Sequence, residues 1–260
     1  MKKLKICLFA AGALALALLC AGLPVLTAML MDQQVEKTPD YNTVRPVAQE
    51  FNEATSPLSM LAKLSLYING SRVSVKAERA TKTPDEIRAC VEQFLSKCQD
   101  RGICQGMELS DMTVTPNMVY RANDPTRFII VWRCYATQTG PGKNTSGQNE
   151  LRRLTDVAVD DETGKILSIS FDHTYVSYSQ DDIWQRNKER VEPLTQLYFA
   201  QLGLTEKAEM AKASPEKYYD YLETDMGVTE VYYTILDPEC GAVRICFVGG
   251  GVDTFRVILK

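Results

Sequence analysis

The side chains that could do chemistry in this chain are few. His173 is the single histidine, so no His-based metal site can be built around it. It follows Leu167, Ile169 and Phe171 on one face of an alternating run, which reads as a structural or solvated residue or a pH-sensitive contact. Six cysteines lie beyond residue 31: Cys90, Cys98, Cys104, Cys134, Cys240 and Cys246. No Cys-x-x-Cys spacing occurs, which removes the usual redox and zinc patterns. Cys90 and Cys98 are about 12 Å apart along one helix face, too far to bond to each other. Buried small hydrophobes and disulfides both fit the remaining spacings, and the pairing is not readable.

The acidic group Asp156, Asp160, Asp161 and Glu162 invites calcium but lacks the alternating oxygen ligands and closing glutamate of an EF-hand loop. A solvated turn is expected. Asp181-Asp182 suits a helix N-terminus, where negative charge meets the dipole. Gly249-Gly250-Gly251 lacks the helix and Lys-Ser/Thr of a phosphate loop and reads as a hairpin turn. No catalytic, cofactor-binding or metal-binding residue emerges. The tyrosines are more suggestive: buried rings fill a core or a domain interface, while exposed ones anchor a partner or stack on sugars. Tyr218, Tyr219 and Tyr221 are the first candidates for partner contact, with Tyr175 and Tyr178 between the two halves of the chain.

The segment that places these residues is N-terminal. Lys2, Lys3 and Lys5 precede an uncharged, mostly apolar run over residues 6–31, about 39 Å of helix and enough to cross a bilayer. The lysines hold that end in the cytoplasm. The run is longer than a signal-peptide core and has no Ala-x-Ala exit. Leu19 occupies the place before Cys20 where a lipoprotein carries a small residue. An uncleaved single span is therefore expected, with a cytoplasmic tip at 1–5 and everything after Asp32 outside the cell. Of the 29 lysines and arginines, setting aside the three anchor lysines leaves 26 against 33 acidic residues, a net charge near −7. That balance excludes a nucleic-acid partner and an anionic membrane surface as a resting place.

The outer part reads as a stalk at 32–62 and two α+β units at 63–178 and 179–260. Alternating residues at 64–68 and 73–77 flank Asn69-Gly70, a strong hairpin signal; a helix over 57–68 is the rival, since Leu58, Leu61, Leu64 and Ile68 also fit helical spacing. Thr83-Pro84-Asp85-Glu86 opens a helix with a capping box. Ile87, Val91, Phe94, Leu95 and Cys98 form its apolar stripe, facing Phe128, Ile130 and Trp132 on a strand at 127–137. A weak strand at 113–121, a loop at 140–148 and a hairpin of 152–160 with 165–173 complete the first unit. The second unit begins with a helix at 181–202, in which Pro193 predicts a kink or a break near Val191. A short helix opening at Ser214-Pro215-Glu216 and strands at 228–236, 242–248 and 252–259 follow.

The stretch Val157-Ala158-Val159-Asp160-Asp161-Glu162-Thr163-Gly164-Lys165-Ile166-Leu167 resembles the signature hairpin of PepSY-type domains. Such domains place a helix before a strand pair bearing this pattern. The second half is similar in architecture only, without the Asp-x-x-Thr-Gly turn. The resemblance implies two tandem, tethered, PepSY-like domains outside the membrane, with inhibitory or regulatory roles. The layout is also similar to membrane-bound regulators of Gram-positive cell-wall sensor kinases. Neither likeness supplies an active site. The expectation is an α+β protein with an N-terminal transmembrane helix and two tandem helix-plus-antiparallel-sheet domains. It would be a single-pass sensor, inhibitor or assembly partner in the bacterial cell envelope, not an enzyme, with a membrane or envelope protein as partner and no cofactor. The alternative is a cell-envelope hydrolase, or its accessory subunit, using an unrecognised carboxylate site.

Overall fold

A computed structural model describes residues 58–260, apart from 106, 110, 144–148, 175–179, 215–217, 224–227 and 251–253. The expected span at 6–31, most of the stalk, and Tyr175 and Tyr178 lie outside these residues. Among the described residues no helix is long and apolar enough to cross a membrane.

The order of elements is α1 (Met60–Asn69), β1 (Ser71–Ser74), α2 (Pro84–Asp100), β2 (Thr113–Arg121), β3 (Asp124–Lys143), β4 (Asn149–Asp160), β5 (Ile166–Thr174), α3 (Gln180–Leu202), α4 (Thr205–Ala213), β6 (Tyr219–Glu223), β7 (Thr229–Asp237), β8 (Gly241–Gly250) and β9 (Thr254–Leu259). The strands form one antiparallel sheet of nine, in the order β1-β2-β3-β4-β5-β9-β8-β7-β6. This overturns the two tandem helix-plus-sheet domains. Each half does hold a helix followed by a four-stranded meander, but the meanders share one sheet and one core. Their last strands pair, Ile169 with Val257 and Phe171 with Phe255. Separate domains would leave β5 and β9 as open edges carrying large apolar side chains; pairing removes both edges.

Register fixes which residues share a face. Trp132, Leu154, Phe171, Phe255, Phe247 and Val231 lie on one face, which α2, α3 and α4 cover. The stripe of α2 is buried there as expected, from Ile87 to Cys98. The Thr83 capping box is formed in both directions. Phe199 and Tyr198 of α3 pack edge-on against Phe247, with ring centroids 5.3 and 5.4 Å away. Gly249 permits that approach: a Cβ there would lie 2.9 Å from Val191 Cγ2 and 3.2 Å from the Asn187 carbonyl oxygen. Pro193 lies inside α3, which continues through it from Gln180 to Leu202, and two residues on the Thr195 hydroxyl donates to the Val191 carbonyl at 2.7 Å.

Three local expectations are corrected. Residues 60–69 are helix, not the first strand of a hairpin. Ser59 caps the start through Ala62 N–H, and Gly70 N–H closes the end on the Leu66 carbonyl. Leu61, Lys63, Leu64, Ser65, Leu66 and Tyr67 are all buried, so burial surrounds α1 rather than alternating along it. Asn69-Gly70 is thus a helix end. Gly70 is needed for closeness: a Cβ would sit 2.6 Å from both the Leu66 carbonyl oxygen and Val119 Cγ1. The second correction is at residues 205–223. A helix precedes Ser214, and Tyr219–Glu223 is a strand, because pairing with β7 outweighs local helical spacing. The third is that β3 runs on to Lys143 through part of the expected loop.

Candidate functional site

The expected solvated turn at 160–163 is a buried polar knot. Lys63 comes from the interior of α1 and Asp160 from the end of β4, with side chains 4% and 1% exposed. Lys63 Nζ donates to Asp160 Oδ2 at 2.7 Å and to Glu162 Oε2 at 2.6 Å. Asp160 Oδ2 also accepts from the Thr163 N–H at 3.0 Å and the Thr163 hydroxyl at 2.5 Å. Asp161 points to the other side of the hairpin. It accepts from the Thr81 N–H at 2.6 Å, the Lys82 N–H at 3.0 Å and Trp132 Nε1 at 2.7 Å. Gly164, at φ +69, turns the chain. Carboxylates so fully engaged act as clamps: one ties the hairpin to α1, the other to the segment before α2. Sequence reasoning missed Lys63; its signal was a lysine within an otherwise apolar helix, which must find a carboxylate.

The other candidates of the sequence fall in different places. His173 is buried on β5, and its backbone N–H donates to the Thr254 hydroxyl at 3.3 Å. Gly249 and Gly250 end β8, while Gly251 lies outside the described residues. Among the described residues no group of three His, Cys, Asp or Glu side chains could hold a metal ion. The side chains of Asp181 and Asp182 are also outside the described set.

A polar groove of about 400 Å³ runs over the β5–β9 seam on the face away from α3. Arg133 and Arg256 reach into it, paired with Asp156 at 2.7 Å and Asp172 at 3.0 Å. Arg72 stacks on the Tyr67 ring, 4.5 Å from its centroid, and donates to the Tyr67 carbonyl. Asp156 holds φ +49 at a bulge of β4. Each guanidinium already has its partner, so the groove is not a ready anion site.

The three tyrosines gather at β6, the sheet's last strand. Tyr219 is half-buried, its ring edge-on to Tyr233 at 5.2 Å, and burial raises its pKa. Tyr221 stands outward, 41% exposed, and donates to Glu223 Oε1 at 2.6 Å. Burial, then that hydrogen bond, push its hydroxyl up to about 12. Tyr218 lines an apolar groove of about 280 Å³ with Met210, Ile235 and Leu236, between α4 and β7. On the opposite sheet face Leu222 is 50% exposed, and Asp220 pairs with Arg244 at 3.3 Å. Among the described residues β6 has β7 as its one neighbour. Its outer edge therefore presents backbone N–H and C=O groups without a strand partner. It carries no proline or lysine, the residues that commonly blunt such an edge.

Compared with protein-family models, characterised proteins and solved structures, this chain matches none, so the site stands on its own geometry.

Proposed function

We propose that this chain is a membrane-tethered, extracytoplasmic binding or regulatory module that takes an extended segment of an envelope or membrane protein along β6. The observation that carries the reading is the open edge of β6, with Tyr221 and Leu222 exposed on opposite faces. An added strand would gain main-chain hydrogen bonds for affinity and side-chain contacts on alternate residues for specificity. The anchor at 6–31 would hold the module at the membrane. The likeness of the 157–167 hairpin to PepSY-type domains supports a regulatory role. The hydrolase alternative has less support, since Asp160 and Asp161 are occupied as clamps.

Hydrogen exchange on the full chain with its captured partner tests this. Amides of Tyr219–Glu223 should exchange more slowly in the complex. Protection confined to the groove over β5 and β9, with β6 unchanged, would refute the edge as the site.

A further inference from the structure

α2 ends in a turn that folds the chain back onto its last coil. Gly102 takes φ +67, its N–H donates to the Gln99 carbonyl, and the Ile103 N–H donates to the Cys98 carbonyl at 2.8 Å. This six-to-one closure with a left-handed glycine is a common helix ending. Here it folds Cys104 back toward Cys98, near enough for the Cys104 thiol to raise the pKa of the Cys98 thiol. Cys98 is fully buried and Cys104 is 5% exposed. The stretch leading on to β2 buries Ile103, Leu109 and Met112 without regular secondary structure among its described residues.

We propose that Cys98 and Cys104 form an intramolecular disulfide that clasps the α2–β2 connection to the end of α2. Its formation in the cell rests on the extracytoplasmic placement proposed above, because cytoplasmic thiols stay reduced. Cys240, Cys246 and Cys134 are placed differently. Cys240 and Cys246 have the same sequence spacing, yet Cys240 lies in the turn before β8 and Cys246 lies about 17 Å along that extended strand from its start. Cys240 Sγ donates instead to Asp237 Oδ1. Cys134 Sγ lies 3.9 Å from the Trp132 carbonyl oxygen, within the strand core.

The oxidant is a small-molecule disulfide such as glutathione disulfide. The Cys104 thiol, the more exposed of the two, loses its proton and attacks one glutathione sulfur. The glutathione S–S bond breaks and one glutathione leaves as thiolate. Cys98 then loses its proton and attacks the Cys104 sulfur, releasing the second glutathione. Two electrons pass from the protein thiols to glutathione disulfide, and two glutathione thiols result.

The test is a digest without reduction. The full chain is incubated with glutathione disulfide or with dithiothreitol, free thiols are blocked, and trypsin is added. Cleavage after Lys97 and Arg101 separates peptides 98–101 and 102–121 unless a disulfide joins them. The oxidised sample should yield the joined pair, lighter by two hydrogens than the separate peptides. Reductant should release it, and Cys104→Ser or Cys98→Ala should abolish it. Separate peptides after oxidation, or Cys98 joined to Cys90 or Cys134, overturn the proposal. This arm supplies its own oxidant and reads the pair whatever the compartment. The same digest on chain from its own cells, blocked at lysis, reads the placement. Joined peptides there support both readings; separate peptides there, from a pair competent in glutathione, overturn the extracytoplasmic one.

Discussion

Phe171 and Phe255 stack across the β5–β9 seam, ring centroids 5.5 Å apart and planes 12° from parallel. Both are fully buried, and they are register partners in the only pairing that joins the two meanders among the described residues. Phe171→Ala should cost about 3–5 kcal/mol. Because the halves share a core, urea unfolding of residues 55–260 should give one transition, coincident by tryptophan fluorescence and far-ultraviolet circular dichroism. Two separated transitions would show that the halves are independent after all.

Lys63 and Asp160 form the most buried ion pair among the described residues. Lys63→Met leaves the Asp160 carboxylate without its cation and should cost about 3–5 kcal/mol. Lys63→Met with Asp160→Leu should cost less than the sum of the single changes, since no uncompensated charge is left. Glu162 is the more exposed partner, so Glu162→Gln should move stability by about 1 kcal/mol or less. Additive single changes in a denaturation cycle would show that the pair is not coupled.

Legibility followed locality. The capping box at Thr83–Glu86, the α2 stripe and the turn at Gly164 depend on residues a few positions apart, and each is visible as a spacing. The strands at 113–121 and 152–173 are alternating patterns of the same kind. The seam is different: Phe171 and Phe255 are distant in sequence, and nothing in either strand's pattern names its neighbour. α1 failed for a related reason. A helix buried on every side has no polar face, so its apolar residues imitate alternation. The polar knot was hidden because Asp160 and Asp161 sit in good turn chemistry, and only tertiary partners distinguish a clamp from a solvated turn. Of the three candidate tyrosines, all lie at one edge, but sequence could not show that Tyr219 is half-buried against Tyr233 while Tyr221, on the same sheet face, is exposed.

Glu86 closes the α2 capping box. The Thr83 N–H and then its hydroxyl bond the carboxylate and lower its pKa below the model-compound value. The contribution is present above the unfolded-state pKa, about 4.3, and is lost as pH falls through the lower folded value. A carboxyl titration by NMR should place Glu86 below the ordinary glutamate value, and Thr83→Ala should move it upward. A Glu86 midpoint unchanged by Thr83→Ala would remove the capping hydrogen bonds as the cause.

Tyr219 and Tyr221 separate stability from binding. Tyr219 packs edge-on to Tyr233, which itself lies 5.0 Å from Phe199 and 5.8 Å from Phe247. Replacing Tyr219 with Ser removes an aromatic contact worth about 0.5–1.5 kcal/mol beyond the lost burial. Tyr221 makes one exposed hydrogen bond, to Glu223, so Tyr221→Ser should change stability by no more than about 0.5 kcal/mol. If β6 receives a partner strand, Tyr221→Ser and Leu222→Lys should weaken capture of the partner roughly tenfold or more, about 1.4 kcal/mol. Leu222→Lys also adds the charge that protects natural edges from pairing. Binding measured for each variant, beside its unfolding midpoint, distinguishes the cases. Capture lost only with Tyr219→Ser and in step with stability would make β6 a structural edge. Capture lost with Tyr221→Ser and Leu222→Lys at unchanged midpoints makes it the recognition strand.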